Sequence, residues 1–150
     1  MKVVITGAAG FLGQKLIARI LADPALPSPE GVRAVTELCL FDVVEPAVPT
    51  LTRANAPSVS TQVGDITQAE DLTRLLGSQA DVIVHLAAVV SSAAEADLDL
   101  GLRVNLDGTR ALLEACRRLE QPPMVVFASS VAVYGGELPA VVTDATALTP

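Results

Sequence analysis

Val3-Val4-Ile5-Thr6-Gly7-Ala8-Ala9-Gly10-Phe11-Leu12-Gly13 lies almost at the start of the chain. Its first residues form a short apolar, β-branched run that reads as a buried strand. The apolar positions that follow, Phe11, Leu12, Leu16, Ile17, Ile20 and Leu21, recur on one face at helical spacing. The glycines therefore occupy a tight turn between a strand and a helix. At such a turn the first N–H groups of the helix, and the positive end of its dipole, can seat a pyrophosphate. Gly7 permits the sharp turn, Gly10 lets the backbone approach phosphate, and Gly13 lets the helix pack closely on the strand. Glycines that merely make a turn are the alternative, and the strand-turn-helix context weighs against it.

The same alternation continues along the chain. Asp23-Pro24 ends the first helix, and a Pro-rich connector over residues 25–31 leads to a second strand at 37–41 with Asp42 at its end. Residues 46–57, rich in proline, read as a surface loop before a third strand at 59–63. Thr67 and Glu70 form a capping-box signature for a helix carrying Leu72, Leu75 and Leu76, which Gly77 stops. A fourth strand spans 81–86. Val104, Gly108, Ala111, Leu112, Ala115 and Leu119 then repeat at helical spacing until Gln121-Pro122-Pro123, and residues 124–128 form the fifth strand. Strand-helix alternation of this kind predicts an α/β fold: a doubly wound, right-handed parallel sheet of the Rossmann type, ordered 3-2-1-4-5.

Composition agrees with one such domain over residues 1–150. A chain of 150 residues buries roughly two thirds of its unfolded surface, and 51% apolar residues suit a sheet covered on both faces. The formal charge of −7, with Arg117-Arg118 as the one basic pair, argues against a nucleic-acid partner. Cys39 in an apolar run and Cys116 on a helix read as reduced, buried thiols. The N-terminus makes a poor signal peptide and no apolar stretch is long enough to span a bilayer, so no membrane partner is expected and the cytoplasm is the default location.

Several side chains fall where such a sheet binds ligands, at the carboxyl ends of its strands. Asp42 can accept both ribose hydroxyls of NAD and would repel the 2′-phosphate of NADP. Its distance from Gly13, 29 positions, exceeds the usual spacing of about 20, so a solvated loop aspartate is the alternative. Asp65 can accept the adenine amino group, with Ile66 packing on the ring, or it can serve as a turn acceptor before the next helix. Leu86, Ala87, Ala88 and Val89 leave room for a dinucleotide. His85, the sole histidine, reads as structural, with no Cys, Asp or Glu around it at metal-ligand spacing; no metal site is expected. Ser129 and Ser130 place hydroxyls where a substrate oxygen would meet a nicotinamide, or equally where they would bond the backbone.

Taken in order, TGAAGFLG, the strand-ending Asp42, GDIT, HLAA, RVNLDGTRALLEA and FASSVAVYG resemble the extended short-chain dehydrogenase/reductases over nearly the whole chain. The resemblance implies that Gly7, Gly10 and Gly13, with Phe11 and Leu12, hold the pyrophosphate of NAD. It further implies that Asp42 binds ribose, Asp65 and Ile66 bind adenine, and Leu86, Ala87 and Ala88 line the adjoining cofactor. Asn105 matches a helix asparagine that supports the active-site architecture, and Ser130 the catalytic residue that polarises the substrate oxygen, with Ser129 on its cofactor side. Residues 89–115 are most similar to members of the family that oxidise a four-carbon sugar acid, D-erythronate, at C2 with NAD. Nucleotide-sugar epimerases and dehydratases share every motif, so they stand as the rival enzyme reading; a non-catalytic NAD-sensing module is the rival outside enzymes. A homodimer formed through the helix around residues 95–119 is a further expectation from the resemblance.

The family's base, the Tyr of a Tyr-x-x-x-Lys pair, has no match. The only tyrosine is Tyr134, with Leu138 four positions on, and the only lysines are Lys2 and Lys15. The expectation is therefore the N-terminal portion of a protein about twice this length, inactive by itself, with the base and the substrate lobe contributed elsewhere.

Overall fold

The structure, a computed structural model, describes residues 1–28, 31–49, 56–77 and 79–149. Five parallel strands form the central sheet: β1 (Lys2–Thr6), β4 (Glu37–Asp42), β5 (Ser58–Val63), β6 (Val82–His85) and β7 (Met124–Phe127). Their spatial order is β5-β4-β1-β6-β7, which is the expected 3-2-1-4-5 once the sheet strands are counted alone.

Side-chain alternation along the strands divides the core into two layers. Val3 and Ile5 of β1 and Leu38 and Leu40 of β4 face α1 (Phe11–Ala22), where Ile17, Ile20 and Leu21 are buried with them. Val4, Cys39, Phe41 and Ile83 face the other way, onto Leu72, Leu75 and Leu76 of α2 (Ala69–Leu76) and onto Leu112 and Cys116 further along the chain. Val3, Val4, Ile5 and Thr6 of β1 are fully buried, as a strand at the centre of a doubly wound sheet must be. The core face of α1 is narrower than its apolar pattern: Phe11 and Leu12 are 77% and 60% exposed. They lie in the first turn of the helix and line a hollow beside the glycine turn.

The Pro-rich connector is a hairpin. β2 (Ala25–Ser28) and β3 (Gly31–Ala34) pair antiparallel, Ala25 opposite Ala34 and Ser28 opposite Gly31. Proline is tolerated in a two-stranded ribbon because its missing donor can point away from the partner, which is why Pro27 did not prevent a strand. The hairpin closes on the main sheet through the N-terminal ammonium, which donates to the Ala34 carbonyl at 2.7 Å, and through Arg33, 3.2 Å from Asp81. Pro29 and Glu30 of the connector, and residues 50–55 of the expected loop before the third strand, lie outside the described residues.

The capping box at Thr67 does not form. The Thr67 N–H donates to Asp65 Oδ1 at 2.8 Å, a tight local turn, and the helix begins two residues later after Gln68, which offers no side-chain cap. The expected long helix is present but broken into α3 (Ser91–Ala96), α4 (Leu98–Gly101), a wide π-helical segment (Leu102–Gly108) and α5 (Thr109–Arg117). Asp97 breaks it first, its side chain accepting from the Leu100 N–H at 2.9 Å. The predicted core face survives: Gly108, Leu112 and Cys116 are buried, and Val104, Ala111, Ala115 and Leu119 pack against the same layer.

Candidate functional site

Gly7 has φ +72°, and a Cβ there would lie 2.6 Å from the Ala87 N and from the Leu86 C. The turn therefore needs glycine twice over, for its left-handed backbone and for close contact with the segment leaving β6. Gly13 is equally constrained, since a Cβ would collide with the Gly7 carbonyl and lie 2.7 Å from that of Ala8. This contact lets α1 sit down on the turn. Gly10 is its N-cap and provides no side chain, and no acidic residue occupies its first turn, so its leading N–H groups face outward as an anion seat. Gln14, which the sequence reading passed over, steadies the turn by donating its Nε2 to the Ala8 carbonyl at 2.8 Å.

Asp42 is fixed rather than solvated. Its Oδ2 accepts the Ala9 N–H at 2.9 Å and its Oδ1 the Val43 N–H at 2.7 Å. The carboxylate at the end of β4 thus bridges to the glycine turn after β1, and the Ala8 N–H donates to the Phe41 carbonyl at 3.2 Å. Asp65 is held from α2, with its N–H donating to Asp71 Oδ2 at 2.8 Å while its own carboxylate takes the Thr67 N–H. Ile66 is buried beneath the helix that carries Asn105; a Cβ on Gly108 would come within 2.8 Å of its Cγ2.

Two hollows open along this edge and share Gly7, Gly10 and residues 86–89. One, of about 480 Å³, contains Asp42, Asp65 and Ile66; the other, of about 640 Å³, contains Phe11, Leu12, Gly13, Asn105, Ser129 and Ser130. All the site residues expected from the sequence thus line these two adjoining hollows, Asp42, Asp65 and Ile66 in one and the serines in the other. A third hollow, about 590 Å³, lies at the opposite edge of the sheet, where Lys2 pairs with Glu37 and Arg33 with Asp81. Those charges answer one another.

At the serine end, Asn105 clasps the backbone of Val89 with both amide atoms: Oδ1 accepts its N–H at 2.8 Å and Nδ2 donates to its carbonyl at 2.9 Å. The π-helical segment that holds Asn105 is a common device for aiming a side chain at a site. Ser130 Oγ accepts the Ala132 N–H at 3.1 Å, opening the short turn Val131–Val133, and Ser130 is exposed to the groove. His85 is buried beneath this end, with Nδ1 2.7 Å from Thr6 Oγ1 and Nε2 3.0 Å from Thr109 Oγ1. Burial holds its pKa below the ordinary value, so at neutral pH it is an uncharged structural link. Burial also pushes the Cys116 thiol up, towards an inert group. Among the described residues no cluster of three or more His, Cys, Asp or Glu could hold a metal ion, and no helix is long and apolar enough to cross a membrane.

A glycine turn, a carboxylate after the second sheet strand and a groove across the strand ends suit a dinucleotide, and comparison with known families gives the same answer. The model of the NAD dependent epimerase/dehydratase family matches residues 3–150. The chain belongs to this family. Its cofactor is NAD.

Among relatives, the D-erythronate dehydrogenase of Cupriavidus necator is 48% identical over all 150 residues, which cover 45% of that protein. Among solved structures, the nucleoside-diphosphate-sugar epimerase from Agrobacterium tumefaciens is 39% identical with a TM-score of 0.83, covering 100% of this chain and 43% of that one. The UDP-glucose 4-epimerase of Thermus thermophilus, in complex with NAD, is 30% identical with a TM-score of 0.70, covering 93% and 41%. The chain thus spans a little under half the length of the relatives it matches.

Proposed function

We propose that residues 1–150 are the NAD-binding portion of a longer, cytoplasmic sugar-acid dehydrogenase that oxidises a substrate such as D-erythronate at C2. The observation that carries this reading is the pair of adjoining hollows, with Asp42 in one and Ser129 and Ser130 in the other, in a chain 48% identical to a D-erythronate dehydrogenase.

In this reading the uncapped end of α1 and the turn at Gly7 and Gly10 hold the pyrophosphate, with Phe11, Leu12 and Gly13 forming the start of that helix. Asp42, already oriented by the Ala9 and Val43 N–H groups, accepts the adenosine ribose hydroxyls. Asp65 and Ile66 flank the adenine. Leu86, Ala87 and Ala88 border the middle of the groove, and Asn105 keeps that border in place through Val89. When bound, NAD supplies a hydride acceptor. Ser130 donates a hydrogen bond to the substrate oxygen, with Ser129 beside it on the cofactor side.

Oxidation of an alcohol also needs a base for the hydroxyl proton. Tyr134 lacks a lysine four positions on, and Lys2 and Lys15 are both remote in sequence, so we assign the base to the remainder of the longer protein, together with the substrate lobe. Residues 1–150 alone then bind cofactor and turn over nothing. The epimerase reading draws on the 39% identity and TM-score of 0.83 to the Agrobacterium structure. Following the NADH absorbance band with the full-length protein separates the two. Reduction of NAD on D-erythronate supports the dehydrogenase; no reduction, with interconversion of a nucleotide-sugar, overturns it.

A further inference from the structure

The segment that leaves β6 carries Leu86, Ala87, Ala88 and Val89 along the groove and is fastened to the helical stretch at two points. Asn105 grips Val89 at the rim, and Thr109 meets the His85 imidazole at the base, 3.0 Å from Nε2. Asn105 and Thr109 are four positions apart. At the other side of the ring, Thr6 Oγ1 lies 2.7 Å from Nδ1 and accepts the Ala87 N–H at 3.3 Å. Thr6 directly precedes Gly7, whose backbone rests against Leu86 and Ala87.

We propose that His85 and Thr109 are positioning residues for the cofactor: a neutral imidazole spans from the glycine turn to α5 and sets where residues 86–89 stand relative to the bound dinucleotide. This rests on the cofactor placement proposed above. The hydrogen-bond inventory favours one tautomer. Thr6 Oγ1 already accepts from Ala87, and its own O–H has no other acceptor among the described residues. A hydroxyl that donates to Nδ1 leaves that nitrogen unprotonated and Nε2–H donating to Thr109, the tautomer in which each of these groups is paired. Thr6 is fully buried and His85 2% exposed, so water cannot replace a partner lost at Nδ1, while the Nε2–Thr109 bond is half-buried at the groove. The Phe127 ring, 5.7 Å from the imidazole centroid, closes the β7 side.

Thr109→Val removes the acceptor without changing the side chain's shape, and Thr109→Ser retains it. Affinities of the full-length wild type and both variants for NAD and for adenosine monophosphate, which reaches the adenine end only, read the effect. We expect Thr109→Val to weaken NAD binding by about five- to ten-fold as residues 86–89 lose their set position. Binding of the monophosphate should change by less than about two-fold, and Thr109→Ser should restore NAD binding. Unchanged NAD affinity in the valine variant overturns the proposal. So does an equal loss for both ligands, which marks general damage, or a failure of serine to restore. A wild type that binds neither ligand would instead defeat the cofactor placement itself, and this inference with it.

Discussion

A buried imidazole whose hydrogen-bond partners among the described residues are hydroxyl groups gains little stabilisation of a positive charge. The His85 pKa is accordingly held below its ordinary value of 6.5 by burial alone. In the unfolded chain the ring protonates at that ordinary value, so the unfolded state binds the extra proton first as pH falls. Stability should be full above pH 6.5 and decline as the pH drops below it towards the depressed folded value. The carboxylates with lowered values, Asp81 and Glu114, come into play only below their ordinary 3.8 and 4.5. Urea midpoints between about pH 7.5 and about pH 5.5 should therefore fall with acid, and His85→Gln should flatten the slope; an equal slope in both proteins would refute the assignment. The structural reading of His85 was available from its place on a strand, but not its partners, since Thr6 and Thr109 lie 79 and 24 positions away. Asp42 was legible as a strand-ending carboxylate, whereas its grip on the Ala9 N–H is visible only once β1 and β4 lie side by side. Thr67 misled because Asp65, two residues earlier, captures the N–H that starts the turn.

The wide segment Leu102–Gly108 is the element on which both ends of the groove converge. Asn105 reaches one end, while buried Gly108 lets the same element settle on Ile66 beneath the other. A methyl group at Gly108 would stand 2.8 Å from the Ile66 Cγ2 and 3.6 Å from that of Thr67, and a β-branched, buried isoleucine has little room to yield. Gly108→Ala should cost about 1–3 kcal/mol of stability, measured by denaturant unfolding, and should weaken NAD binding by displacing Asp65. A fully stable variant with unchanged affinity would show that the contact is slack. Hydrophobic spacing revealed the buried face of this stretch, because a π turn shifts the register by only about one residue. It could not reveal the breaks at Asp97 and at Leu102, which depend on local bonds rather than on burial. The hairpin β2–β3 was hidden for a related reason: its strands have four residues each, too few for alternation to outweigh the proline signal.

Across the whole molecule, alternating apolar runs were enough to order the sheet, since the central strands are buried on the faces their pattern announces. The edge strands are more open: Val63 of β5 is 45% exposed, and Met124, Val126 and Phe127 of β7 are 45%, 47% and 57% exposed. Leu102, Leu106 and Leu113 on the helical stretch are exposed as well, apolar side chains that another surface could cover. Residues 1–150 expressed alone should self-associate, giving species larger than 15.5 kDa on size exclusion, whereas a clean monomer would contradict that view of the surface. The groove along the strand ends, with Asp42 held by the Ala9, Val43 and Val44 N–H groups, is the feature on which the functional account depends. A fixed carboxylate there should favour two ribose hydroxyls and repel a 2′-phosphate. Calorimetric titration of the full-length protein with NAD and with NADP tests this most directly. Saturable NAD binding, with NADP at least about 100-fold weaker, is the predicted result; equal affinities, or a preference for NADP, would contradict it.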